Sequence, residues 1–304
     1  MKKEGWKFTE LRNAMMVATF FFLWLAIFFG ESVEETLAFT LIFSFGILHG
    51  ANDLEILRRK GLPNSKGKSG WKMLLAYIGF VLVSALLFYF MPMLALLMFI
   101  SFSAYHFGEQ HWISRQGKSP ALQKLLFVTY GLVVLFLLFY AHTEEVTEVV
   151  LGITGVAISA LWLTRVLLIS LGLFLVILCT NFYRSQLMRY ALREILLFGL
   201  FFLVFNTASL LWAFAIYFVV WHSIPSLADQ LRLLYGTISL KSGLKYVKSS
   251  AVYWVGALVT LAVAFMLLKD SDYGYLPLFF SFLAAITFPH VLVITRLYGQ
   301  GEDE

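Results

Sequence analysis

Four of the chain's six histidines, His49, His106, His222 and His290, lie inside long apolar segments. An ionisable side chain in such a segment is costly and marks a site. Imidazole is also the commonest metal ligand. Counted from segment ends near Glu35, Pro92, Thr207 and Tyr275, the four come 14, 14, 15 and 15 residues along. On parallel helices that is a shared depth of about 21–23 Å. Four imidazoles at one level predict a ring of metal ligands. His111 and His142 fall outside the pattern, one near a helix end and one in an outer loop, and read as interfacial.

The residues beside them add chemistry. His49 opens HGANDLE, with Asp53 four residues on, and His106 opens HFGEQHW, with Glu109 three residues on. In a continuous helix each carboxylate shares its histidine's face. There it could take the second N–H of a metal-bound ring; the alternative is a cap or a surface ion pair. Gly50 and Gly108 follow their histidines, and small residues let helices approach closely. Pro225 in WHSIPS and Pro289 in TFPH predict kinks beside His222 and His290. Neutral imidazole ligation suits Fe, Zn or Cu. Without a carboxylate to balance the charge, a redox metal with open positions is favoured over closed structural zinc. Aromatic residues crowd the same stretches, among them Tyr105, Phe107, Tyr217, Phe218, Trp221 and Phe288. Such walls predict a long, flat, apolar, conjugated substrate drawn from the bilayer.

These residues need elements that cross a membrane. The 304 residues are 60% hydrophobic and 13% charged, against about 25% charged in soluble domains, and mean hydropathy is +0.82. A bilayer core needs about 20 apolar residues per helix. Ten spans are predicted: 12–30, 35–57, 71–90, 92–113, 121–141, 157–181, 190–205, 207–233, 250–268 and 275–296. With both termini cytoplasmic, 21 of the 23 Lys and Arg fall on the cytoplasmic side, leaving Arg165 and Lys269. The fold class is therefore all-α, a polytopic membrane helix bundle forming one domain over 1–304. The segment 61–70 reads as a flexible cytoplasmic loop, 144–150 as a short interfacial turn and 299–304 as a polar tail. The first helix lacks a cleavage site and reads as retained. The net charge of +5 sits in short loops and does not suggest nucleic acid. The single cysteine, Cys179, permits no internal disulfide and reads as a buried small hydrophobe.

HGANDLE, YHFGEQHW, WHSIPS and TFPH, in this order, resemble the Brp/Blh family of membrane β-carotene 15,15′-dioxygenases. The resemblance runs from about Phe45 to Tyr298. It implies cleavage of β-carotene at its central double bond with Fe(II) and O2, giving two all-trans-retinal. It also implies a multi-pass protein of the prokaryotic inner (cytoplasmic) membrane, with a functional link to a microbial rhodopsin. By motif, the family's ligands carry over onto His49, His106 and His222. The family's third motif often has a second histidine four residues after the first, where this chain has Ser226. The depth argument supplies His290 as the fourth ligand, with Asp53, Glu109 and Ser226 beside the ligand set. Two other classes stay open, a membrane haem or redox protein and a metal transporter. A desaturase-type diiron centre fits poorly, since it needs about eight histidines in dense boxes.

Overall fold

The computed structural model describes residues 8–59, 69–115, 117–268 and 274–299; the predicted loop 61–70 and tail 299–304 lie largely outside them. Among the described residues there are only helices and turns. The helices are α1 Phe8–Phe28, α2 Glu31–Leu41, α3 Asp53–Arg59, α4 Ser69–Phe90, α5 Pro92–Trp112, α6 Pro120–Ala141 and α7 Thr143–Thr154. There follow α8 Ala160–Asn181, α9 Arg184–Thr207, α10 Leu210–Ala215, α11 Ile224–Tyr235, α12 Leu240–Leu268 and α13 Tyr275–Gly299. Two stretches, Ile42–Gly46 and Ile216–Ser223, are π-helical.

Local chemistry accounts for several boundaries. Pro92 and Pro120 stand in the first turns of α5 and α6, where a missing N–H costs nothing. Ser159 caps α8 through the Trp162 N–H at 3.3 Å. Gly155 and Gly236 close α7 and α11 at φ 68° and 74°, a region that favours glycine.

Among the described residues, seven stretches are long and apolar enough to cross a membrane: Glu10–Phe28, Gly70–Phe90, Pro120–Ala141, Ala160–Asn181, Leu210–Tyr235, Leu240–Leu268 and Tyr275–Thr295. This is a helical membrane protein. Exposed apolar side chains on α4 and α12, such as Tyr89, Phe90, Val252 and Leu267, fit that setting, because lipid solvates them.

Three expectations need correction. The predicted span 35–57 is not one helix: α2 passes into the π-helical stretch, the chain turns at 49–52, and α3 starts afresh. Asp53 therefore does not share a continuous helical face with His49. The predicted turn at 144–150 is a twelve-residue helix, α7. Cys179 is exposed rather than buried, since a helix in lipid gains nothing by hiding an apolar side chain.

The chain divides into two compact units, Met1–Phe80 with Leu211–Lys269 and Val81–Leu210 with Asp270–Glu304. In the first, indole N–H groups from the 210–223 region reach α1: Trp212 donates to the Phe22 carbonyl at 3.2 Å and Trp221 to Thr19 Oγ1 at 2.9 Å. In the second, α6 packs backbone to backbone on α5. A Cβ added at Gly108 would overlap Phe127, and one at Gly131 would overlap Ala104. Lipid tails are as apolar as the side chains, so close approach and hydrogen bonds do much of what the hydrophobic effect does in water.

Candidate metal centre

In the first unit, His49 and His222 meet with ring centroids 5.1 Å apart and planes at 87°. Both are buried. Both stand at irregular backbone. The π-helical stretch Ile42–Gly46 ends just before His49, and the one at Ile216–Ser223 contains His222. In each, the closing N–H reaches back five residues, from Ile47 to Ile42 and from Ile224 to Val219. Such turns widen a helix and recur at functional sites. The second ends at Ser223, two residues before Pro225, which stands in the first turn of α11. The predicted kink at Pro225 is thus a local change of helical register, carried by a residue with no N–H to bond.

His49 Nδ1 hydrogen-bonds the Gly46 carbonyl. A carbonyl only accepts, so Nδ1 is the donor, and in the neutral ring that leaves the lone pair on Nε2. That is the tautomer and second-nitrogen partner common in metal-bound histidine. Phe218 stacks on His222 at 5.7 Å and 23°, and meets His49 edge-on at 5.7 Å. A Cβ at Gly46 would lie 2.8 Å from the Phe218 ring, so glycine leaves room for that ring. Phe214 continues the stack behind Phe218 at 5.2 Å. Tyr217 is buried on the same stretch, whereas Trp221 turns its indole N–H toward α1.

In the second unit, His106 on α5 and His290 on α13 meet at 5.4 Å and 86°. Glu109 is buried and ties these two helices together. Its carboxylate accepts from the Tyr105 hydroxyl at 3.0 Å and the Thr295 hydroxyl at 3.1 Å. Phe107 lies 6.5 Å from the His106 ring. Phe288 packs in an apolar cluster with Phe88, Ala95, Ile153 and Ala284. Pro289 sits inside α13, which continues through it.

Each unit therefore brings together two of the four predicted ligands. Two buried imidazoles in edge-on contact form a donor set that fits a borderline divalent metal. The family model for β-carotene 15,15′-dioxygenase matches residues 40–298. The chain belongs to that family. No curated protein and no solved structure matches it. The dioxygenase is thus a carotenoid-cleaving enzyme, with β-carotene the family's substrate and retinal its product.

The other predicted residues of the dioxygenase lie as follows. Asp53 accepts from the Tyr77 hydroxyl at 2.9 Å. Ser226 is buried and accepts from Gln230 Nε2 at 3.2 Å. His142 lies 3.4 Å from Glu145 at the start of α7. His111 joins a buried cluster that sequence reasoning missed. Glu194 takes His111 Nε2 at 3.0 Å and Arg115 at 2.8 Å, while His111 stacks on Tyr130 at 4.4 Å. Gln230 and Tyr246 were missed as well. Both contact the His49 carbonyl, at 2.8 and 2.9 Å. The one signal for Gln230 was its place on the helical run eight residues past His222, one turn beyond Ser226.

Proposed function

We propose that the chain cleaves β-carotene at its central 15,15′ double bond with O2, giving two all-trans-retinal, at a ferrous ion held by His49, His106, His222 and His290. The family membership gives the reaction type. The observation that carries the ligand assignment is the meeting of these histidines in pairs, His49 with His222 and His106 with His290. His290 then stands in for the family histidine that Ser226 replaces. The reaction balances without a reductant: the C15=C15′ bond breaks, each carbon gains one oxygen atom, and both atoms come from O2. Bound iron supplies the one-electron chemistry that lets triplet O2 react with a singlet hydrocarbon.

The protein's own groups orient the polyene and keep water out. Tyr105, Phe107, Tyr217, Phe218, Trp221 and Phe288 line the path, and position along it selects the reacting bond. The Phe218 face beside His222 stabilises positive charge developing on the polyene. Glu109, Asp53 and Ser226 steady the ligand-bearing segments. The whole chain acts as one domain of the inner membrane, with ten spans and cytoplasmic termini, and its retinal serves a rhodopsin. The test is expression in β-carotene-accumulating bacteria. Wild type bleaches the cells and yields retinal. Each single His→Ala variant at 49, 106, 222 or 290 accumulates without yielding retinal. Full activity in His290→Ala would remove that ligand, and a Soret band in purified protein would replace this reading with a haem protein.

A further inference from the structure

The turn at 49–52 breaks the backbone directly after a proposed ligand. In a continuous helix the His49 carbonyl would accept the Asp53 N–H, but that N–H bonds Gly50 at 3.3 Å instead. A buried carbonyl needs a donor. Here side chains from two other helices supply it. Gln230 on α11 donates through Nε2 at 2.8 Å. The Tyr246 hydroxyl on α12 lies 2.9 Å from the same oxygen and 2.7 Å from Gln230 Oε1, its one proton serving either. Asn52 then donates to the Tyr246 backbone carbonyl at 3.1 Å and accepts from the Ser249 hydroxyl at 2.9 Å. Gln230, Tyr246 and Asn52 are each about 1% exposed. Burying two amides and a phenol is costly unless every group is satisfied.

We infer that Gln230 and Tyr246 are positioning residues for His49. They hold its main chain where helical bonds do not, and so fix where its ring stands against His222. Gln230 shares a helical run with His222, so one amide ties the backbone of one histidine to the helix of the other. Ser226, four residues before Gln230, accepts the same amide and fixes its rotamer. The inference rests on reading His49 as an iron ligand.

The experiment measures metal release and turnover in three purified variants. Tyr246→Phe removes one oxygen atom and keeps the ring; Gln230→Met keeps length and removes both polar atoms. Trp254→Phe is the control. It deletes a hydrogen bond from the same helix, α12, to the Phe43 carbonyl at 2.6 Å, away from the His49 carbonyl. Wild type loaded with Fe(II) or Co(II) releases metal slowly to a chelator. Tyr246→Phe and Gln230→Met are expected to release it about tenfold faster or more, with kcat down and the KM for β-carotene unchanged. Trp254→Phe releases metal as wild type does, even where its melting temperature falls as far as theirs. Wild-type release rates in the first two variants overturn the positioning role. So does equally fast release from Trp254→Phe, which would make the contacts general scaffolding. A wild-type protein that binds neither metal overturns the iron reading, and this inference with it.

Discussion

His49 is specified atom by atom. Its Nδ1 proton goes to Gly46, its carbonyl takes Gln230 and Tyr246, and its ring meets His222. The neighbouring Phe218 ring is specified as tightly, because Gly46 clears its edge. Phe218→Leu keeps an apolar side chain and loses the stacked face. A stacked pair is worth about 0.5–1.5 kcal/mol beyond its burial. Central cleavage, read as retinal by chromatography, is therefore expected to slow about two- to tenfold with little change in melting temperature; an unchanged rate would take Phe218 out of the polyene path. The four histidines were legible in the sequence because an imidazole inside an apolar run stands out by chemistry alone. Gln230 and Tyr246 were not, because an amide or phenol near a helix end is ordinary until its partner across the fold is seen.

Among the helices, length and apolarity were read with small errors. The long apolar runs became α1, α4, α6, α8 and α13 close to their predicted limits. The turn expected at 144–150 is the helix α7, and the span expected from 250 begins at Leu240 as α12; the failure at 35–57 fell where backbone hydrogen bonding changes register. A π-helical stretch alters which N–H meets which carbonyl while leaving hydropathy untouched, so neither Ile42–Gly46 nor the turn at 49–52 left a mark in the apolar pattern. The close α5–α6 packing has a direct test. Gly108→Ala or Gly131→Ala puts a methyl into facing backbone, and overpacking costs about 1–3 kcal/mol. A lower melting temperature in detergent is expected for either; two neutral substitutions would mean the helices stand further apart. The cluster tying α5 to α9 has another. Glu194→Gln leaves Arg115, 7% exposed, without its carboxylate. Breaking a buried pair costs about 3–5 kcal/mol. Stability should fall while the metal content of the folded fraction stays at the wild-type level.

At the scale of the molecule, the proposed orientation, which rests on the Lys and Arg bias of the loops, has a direct test. Fluorescent protein fused after Glu304 should fluoresce in the cytoplasm. Alkaline phosphatase fused after His142 should be active outside, and the reverse pattern would invert the topology. The four histidines lie far apart in sequence, two of them in each compact unit. The central claim is that they serve a single iron. The most direct test is X-ray absorption at the iron edge of the purified wild-type enzyme. The account predicts one iron per chain with about four imidazole nitrogens in its scattering. Iron with only two imidazoles, or a spectrum of haem nitrogens, would contradict it.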